Sequence, residues 1–457
     1  MTRGIFGSLA LLLFAACAQA ADDFSSQAAH NWHQWRGPLA TGVAPDADPP
    51  LEWSETKNIK WKVKLPGEST ATPIVWGDKI FIVTAVQTDR TIELPEDEAK
   101  PMGPFQITKP ANYYQFIVMC LDRRTGKTLW EHTAREEVPH EGRHADGSFA
   151  SASPTTDGQH LYVSFGSRGV HCYDLNGQPK WQRDLGKMKI IFTFGEGSSP
   201  VLYGDTVIIN WDHQGGLKDK KDGSFITALD AQSGETRWKI DRDETTTWAT
   251  PLLVSYGGKQ QLVVHGSKRV RSYDPANGQE IWACGGQTPS AIPTCVADDR
   301  NVYCMSGYMG NAVYAIPLDT VGDITEFAKK KEPEKIAWMR GDPGAPYIPS
   351  PLLYDGQLYF MSSNKGIVTC LEAKTGKPLI ERKRIEGIAN IYASPVGAAG
   401  RVYFTSREGA TVVVKLGPEL EILATNQLDD RFDGSMAVVG KEILLRGREN
   451  LYCISSE

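Results

Sequence analysis

Asp230-Ala231-Gln232-Ser233-Gly234-Glu235-Thr236-Arg237-Trp238 is the stretch that decides the fold, because its pattern, Asp-x-x-x-Gly-x-x-x-Trp, returns along the chain. Asp122, Gly126 and Trp130 form one copy, and Asp274, Gly278 and Trp282 another. Asp174, Gly177 and Trp181 repeat it one residue shorter, and Glu372 and Gly376 keep its front half. Asp supplies side-chain acceptors for a tight turn and Gly takes φ > 0 there without strain. The Trp is a flat anchor suited to wedging against a neighbouring unit. Trp61, Trp130, Trp181, Trp238, Trp282 and Trp338 share this repeat position, so their role reads as structural. A repeat at about forty to sixty residues fixes architecture before any local reading does.

Each unit has the same order around the motif. A Ser/Thr-Pro step opens it, followed by an apolar strand, a Gly-Asp or Asp-Gly turn and a second strand. A third strand ends at the motif Asp, and a fourth carries the Trp. The Pro steps are Thr72-Pro73, Ser153-Pro154, Ser199-Pro200, Thr250-Pro251, Ile292-Pro293, Ser350-Pro351 and Ser394-Pro395, and Ser435-Met436 is an eighth start without Pro. Pro is tolerated at the first residue of a strand. Eight starts predict an all-β, eight-bladed β-propeller of four-stranded antiparallel blades over residues 58–457. The last unit has only three strands, and Asn58–Val63 resembles a fourth strand with its Trp. Pairing of the N-terminal strand with the C-terminal blade closes the ring and removes exposed sheet edges.

Composition narrows the function classes. The chain has 457 residues, a formal net charge of −6 and 41% hydrophobic residues, enough for a core and against a nucleic-acid partner. Residues 1–20 read as a signal peptide: Arg3 is the basic start, Leu9–Ala16 the apolar stretch, and Ala18-Gln19-Ala20 the cleavage site. Phe14-Ala15-Ala16-Cys17 resembles a lipobox with Phe in place of Leu, so a lipid anchor on Cys17 is the competing reading. Residues 21–57 read as an N-terminal extension. No other apolar run has membrane-spanning length. The expectation is a periplasmic or secreted monomer with a protein or small-molecule partner.

Cys120, Cys172, Cys370 and Cys453 recur just before the motif Asp or its equivalent, where other repeats carry Ala228, Ser272 and Ala315. That is the signature of a tight packing site rather than of disulfides. Cys295 and Cys304 flank a short turn, which leaves a bridge between them open.

These residues resemble the repeat of pyrroloquinoline-quinone (PQQ) dehydrogenases, a unit shared with the non-enzymatic outer-membrane assembly scaffold BamB. His33-Gln34-Trp35-Arg36-Gly37-Pro38 and Trp53-Ser54 are similar to the opening of a secreted subgroup known mostly from planctomycete-type genomes. Within that resemblance three functions stand open: a non-catalytic binding or scaffold propeller, a PQQ- and calcium-dependent dehydrogenase of alcohols or sugars, and a BamB-like assembly lipoprotein. The dehydrogenase resemblance implies an adjacent Cys-Cys pair, which this chain lacks. No phosphate-binding Gly-rich loop or Gly-x-Ser-x-Gly elbow is present either. The leading expectation is therefore the binding module, with no cofactor and no catalytic residue assigned.

Strand order places the loops entering each blade, and those joining second to third strands, at one mouth of the channel. The insertions Gln87–Asn112 and Asp212–Ser224 rise there, whereas Leu318–Lys335 belongs to the opposite face and reads as a solvated excursion. Candidate ligand-binding residues on the entering loops are His140, Arg143, His144, Glu196, Trp248, Tyr347, Tyr392 and Asp433. Aromatics beside polar groups suit a sugar, a quinone or a peptide. His140 and His144 beside carboxylates have ligand chemistry but no recognised zinc spacing, so no metal is assigned. Glu196, Asp212 and Asp433 offer oxygens for calcium under the dehydrogenase alternative. Arg168, Lys268, Lys365, Arg407 and Arg448 each lie between second and third strands; a ring attracting an anion or an acidic peptide is one reading, but their loose alignment favours ordinary solvated turns.

Overall fold

The computed structural model describes residues 24–214, 223–330, 335–341 and 343–457. The expected signal peptide, its cleavage site and Cys17 lie outside the described residues, as does most of the second insertion. Eight antiparallel blades form the propeller. In chain order their first strands are Ile74–Trp76, Thr155–Thr156, Val201–Tyr203, Leu252–Tyr256, Val296–Ala297, Leu352–Tyr354, Val396–Ala398 and Ala437–Val439. Blades are numbered 1 to 8 in this order. Blade 8 takes its outer strand, Ile59–Lys64, from the other end of the chain, with Trp61 opposite Cys453 and Lys62 opposite Tyr452. The ring closes as its sequence predicts.

The motif tryptophans explain the small residues that precede each turn. Trp130 lies across from Cys120, Trp181 from Cys172, Trp238 from Ala228, Trp282 from Ser272 and Trp338 from Ala315. A larger side chain there would collide with the indole in a close-packed interior. All seven described cysteines are free and buried; Cys295 and Cys304 face one another as thiols, 3.0 Å apart at Sγ.

Each of five indole N–H groups reaches the next blade, donating to the carbonyl just after its motif Asp or Glu. Trp61 bonds Arg123 O, Trp130 Leu175 O, Trp181 Ala231 O, Trp238 Pro275 O and Trp338 Ala373 O, at 2.8–3.2 Å. The motif Gly lies under that indole. A Cβ on Gly234 would come within 2.6 Å of Trp181, and its φ is +69°. Trp282 departs from this pattern and bonds Gln261 instead.

The reason is the segment expected to be a solvated excursion. Gly322–Asp323 pairs parallel with the outer strand of blade 4, and the short helix Thr325–Lys330 follows. Leu318, Ile324, Ala328 and Ile336 are buried against Trp282. Residues 318–330 form a cover over the outer edge of blade 4, bringing apolar residues to a blade whose neighbour lacks the motif.

Two other expectations change. The first insertion keeps its place between second and third strands, but the strands extend into its ends, to Thr91 and from Asn112, leaving 92–111 as the tip. Blade 5 starts at Thr294-Cys295 rather than at Ile292-Pro293, because Thr294 occupies the position that Ser and Thr fill elsewhere.

The N-terminal extension packs into the ring. Trp32 pairs with Val75 in blade 1, and His33 O accepts the Thr156 N–H in blade 2. Three residues after His33, Arg36 donates to Pro351 O at 2.6 Å, Pro395 O at 2.7 Å and Thr41 O at 2.9 Å. Val43–Ala44 then pairs parallel with Val396–Ala398. The chain thus crosses from blades 1 and 2 to blades 6 and 7 and stops the channel at the end opposite the mouth.

Candidate functional site

The first strands begin at the mouth, and their Ser/Thr residues form a belt around the channel. The Thr72 N–H donates to the Ser153 hydroxyl, Ser153 to Ser199, Ser199 to Thr250, Thr250 to Thr294, Thr294 to Ser350, Ser350 to Ser394 and Ser394 to Ser435, all at 2.9–3.1 Å. A Pro or other extended residue after each hydroxyl holds it at the blade entrance. The belt is the waist above which the entering loops fold.

Those loops enclose a cavity of about 430 Å³. His144, Glu196, Trp248, Tyr347, Tyr392 and Asp433 line it together. His140 and Arg143, expected with them, sit behind the wall. His140 Nε2 bonds Met188 O at 2.7 Å, and burial depresses its basicity. Arg143 donates to Gly147 O at 2.8 Å and pairs with Glu68. Nothing brings the two histidines to a common point. Among the described residues no group of three or more His, Cys, Asp or Glu is arranged to hold a metal.

Each aromatic is held by a specific contact. Trp248 Nε1 donates to Gly195 O at 2.7 Å. Tyr347 stacks on Tyr308, with ring centroids 5.0 Å apart. The Tyr392 hydroxyl donates to Asp146 at 3.1 Å, while the Arg407 guanidinium lies 3.7 Å from its ring centroid. His144 packs edge-on against Phe105 and Phe194.

The carboxylates are all paired. Asp433 accepts from Arg407 Nε at 2.6 Å and lies 3.2 and 3.4 Å from Arg431 and Arg448. Burial nevertheless outweighs these cations and pushes its carboxyl pKa up. Asp146 pairs with Arg407 and Arg431, at 2.8 and 2.6 Å. Glu196 accepts from the Ser167 N–H and hydroxyl, both at 2.7 Å, and from Arg168 at 3.0 Å. Beside it Glu141 accepts the Ile190 N–H, and burial raises its carboxyl to about 7.

The basic set therefore does not form a free ring. Arg168 and Arg407 are buried in ion pairs, Arg448 joins Asp433, and Lys268 lies 3.9 Å from Asp243. Asp212 is likewise committed, accepting from Arg242 at 2.8 and 3.0 Å and from Thr247 at 2.7 Å. It belongs to a buried structural pair inside blade 3 and is not among the residues that line the cavity with Glu196 and Asp433.

Trp35, Asp146, Phe105, Phe194 and Tyr308 also line the cavity. Phe194 and Asp146 lie on entering loops and Tyr308 follows a second strand, so strand order pointed to their location. Trp35 comes from the N-terminal segment and only the crossing of the channel delivers it.

No curated protein matches the chain. Solved structures share its fold at low identity. BamB from Moraxella catarrhalis aligns over 82% of this chain and 98% of its own, with 14% identity and a TM-score of 0.51. The quinohemoprotein alcohol dehydrogenase from Comamonas testosteroni aligns over 96% of this chain and 84% of its own, with 12% identity and a TM-score of 0.58. A family model spans residues 115–380, more than half of the sequence. On that match the chain belongs to the family described as outer membrane protein assembly factor BamB.

Proposed function

We propose that this protein is an exported, non-catalytic binding module of the cell envelope that recognises a ligand or partner at the channel mouth. The observation that carries the reading is the one-ended cavity. Its walls are fixed aromatics and paired carboxylates on loops from many blades, and its far end is stopped by the protein's own N-terminal segment. Loops on a rigid scaffold suit recognition. The kinship with a named assembly factor agrees with a binding role and with an envelope location.

The lining argues against a PQQ site. PQQ carries carboxylates, and the cavity lining offers Asp146, Glu196 and Asp433 without a lysine or arginine among its residues. The arginines behind those acids are already committed to them.

The test is an affinity capture from envelope extract, with and without residues 92–111 replaced by a short turn. Captured partners are expected to be lost with the tip. Full retention would reject the mouth as the binding face. Incubation with PQQ, calcium, a dye acceptor and an alcohol panel should give no turnover; turnover would replace the binding reading with a dehydrogenase.

A further inference from the structure

The geometry points to a neutral saccharide as the ligand class of the mouth cavity, seated with one ring face on Trp35. This rests on the mouth-binding reading and adds the chemistry of what binds.

The first observation is the belt of hydroxyls. Ser153, Ser199, Thr250, Ser350, Ser394 and Ser435 line the cavity. Each accepts a backbone N–H from the preceding blade. None of them donates to a protein acceptor among the described residues. Their O–H protons are therefore left for an acceptor-rich guest. A purely apolar occupant would bury those donors unmet, at a cost in free energy.

The second observation is charge. Asp146, Glu196 and Asp433 offer lone pairs to the cavity, and guanidiniums behind the wall neutralise each. An anion would meet acceptor oxygens, with no lysine or arginine in the lining. A cation would have to compete with ion pairs already made. An uncharged hydroxyl can donate to these oxygens while leaving their arginines in place, so a polyol fits both sets of polar groups.

The third observation is the aromatic surface. Trp35 lines the cavity from the channel stopper, and Arg36 beside it fastens that segment to blades 6 and 7. Trp248 is locked by its bond to Gly195 O. Rigid aromatic faces accept the C–H face of a sugar ring at little entropic cost. The volume, about 430 Å³, falls within the range of small-molecule sites.

The experiment is calorimetric titration of the full chain with neutral oligosaccharides (cellotriose, maltotriose and chitotriose). Trigalacturonate and a Phe-rich peptide serve as comparators. At least one neutral sugar should bind. Trp35→Ala should weaken it about tenfold or more, the loss expected for an aromatic anchor, with Trp35→Phe retaining most of the affinity. Affinity should hold between about 0.05 and 0.5 M salt, since no net charge is engaged. Equal unfolding temperatures for the two variants separate stacking from misfolding.

Binding of trigalacturonate or peptide alone overturns the saccharide assignment. If that binding is lost when 92–111 are shortened, the mouth-binding reading survives. Neutral-sugar binding that Trp35→Ala leaves unchanged also overturns the proposal, by placing the sugar elsewhere. Absence of binding to every neutral sugar rejects the class.

Discussion

The backbone N–H of Ser394 donates to the Ser435 hydroxyl at 3.0 Å, joining blade 7 to blade 8. It is the last link of the belt around the channel. At the remaining boundary, between blades 8 and 1, Thr72 Oγ1 is buried without a hydrogen-bond partner among the described residues. The belt is open at the seam, where the ring is closed instead by the N-terminal strand.

Ser435→Ala is expected to cost about 1–3 kcal/mol, because it strands the buried Ser394 N–H. Ser350→Ala should cost a similar amount through Thr294. Thr72→Val, which removes only the unpartnered hydroxyl, should change stability by under about 0.5 kcal/mol. Urea unfolding of the three variants checks this; equal losses for Thr72→Val and Ser435→Ala would contradict the belt.

Gly234 and Gly204 separate backbone conformation from packing. Both have positive φ, +69° and +54°, but a Cβ meets Trp181 at 2.6 Å only at Gly234. Gly204→Ala should cost about 1 kcal/mol, from the backbone alone. Gly234→Ala adds displacement of the docked indole, and a total of roughly 3 kcal/mol is expected. Thermal unfolding ranks the pair.

Arg36 is fully buried, and three backbone carbonyls rather than a carboxylate receive it. Burial pushes its pKa down. Arg36→Gln should cost about 2–3 kcal/mol, the loss of charge-assisted bonds. It should also raise hydrogen–deuterium exchange selectively in residues 32–44. A uniform rise across all blades would show that the segment is not an independently releasable stopper.

Glu141 gives the mouth a pH dependence. Its folded carboxyl is raised from 4.5 to about 7, chiefly by burial and further by Glu196, against the Ile190 N–H hydrogen bond, Arg168 and Lys189. A raised pKa means that the folded state favours the protonated form. Its stability contribution is full below about pH 4.5 and is lost as pH rises through about 7. Glu141→Gln, neutral throughout, should match wild type near pH 4.5 and unfold at a higher temperature at pH 8. A constant difference across that window would place the effect elsewhere.

Candidate-site residues on entering loops were legible because strand order alone assigns those loops to one end. This located Glu196, Trp248, Tyr347, Tyr392 and Asp433. Strand order does not say which side chains face the cavity, and so it groups His140 and Arg143 with residues they stand behind. Nor does strand order pair charges: Arg168 and Arg407 read as solvated turn residues, whereas folding buries them against Glu196, Asp146 and Asp433. The cover on blade 4 is illegible in the sequence for a related reason. Its charged composition suggests solvent, while Leu318, Ile324 and Ala328 within it, and Ile336 just after it, find Trp282 only in three dimensions.

The sequence by itself determined the number of blades, their strand order and the closure of the ring. These depend on local turn chemistry and on a repeat in which each unit contacts its neighbours, so every copy restates the same information. Only the tertiary structure decided that the channel is stopped, that Trp35 reaches the mouth cavity and that the mouth carboxylates are neutralised. Those features join residues as distant as Arg36 and Pro395, 359 positions apart, and no local pattern encodes such a contact. It exists because folding brings the two ends of the chain to the same ring and leaves a buried guanidinium no nearer acceptors than the carbonyls across the channel.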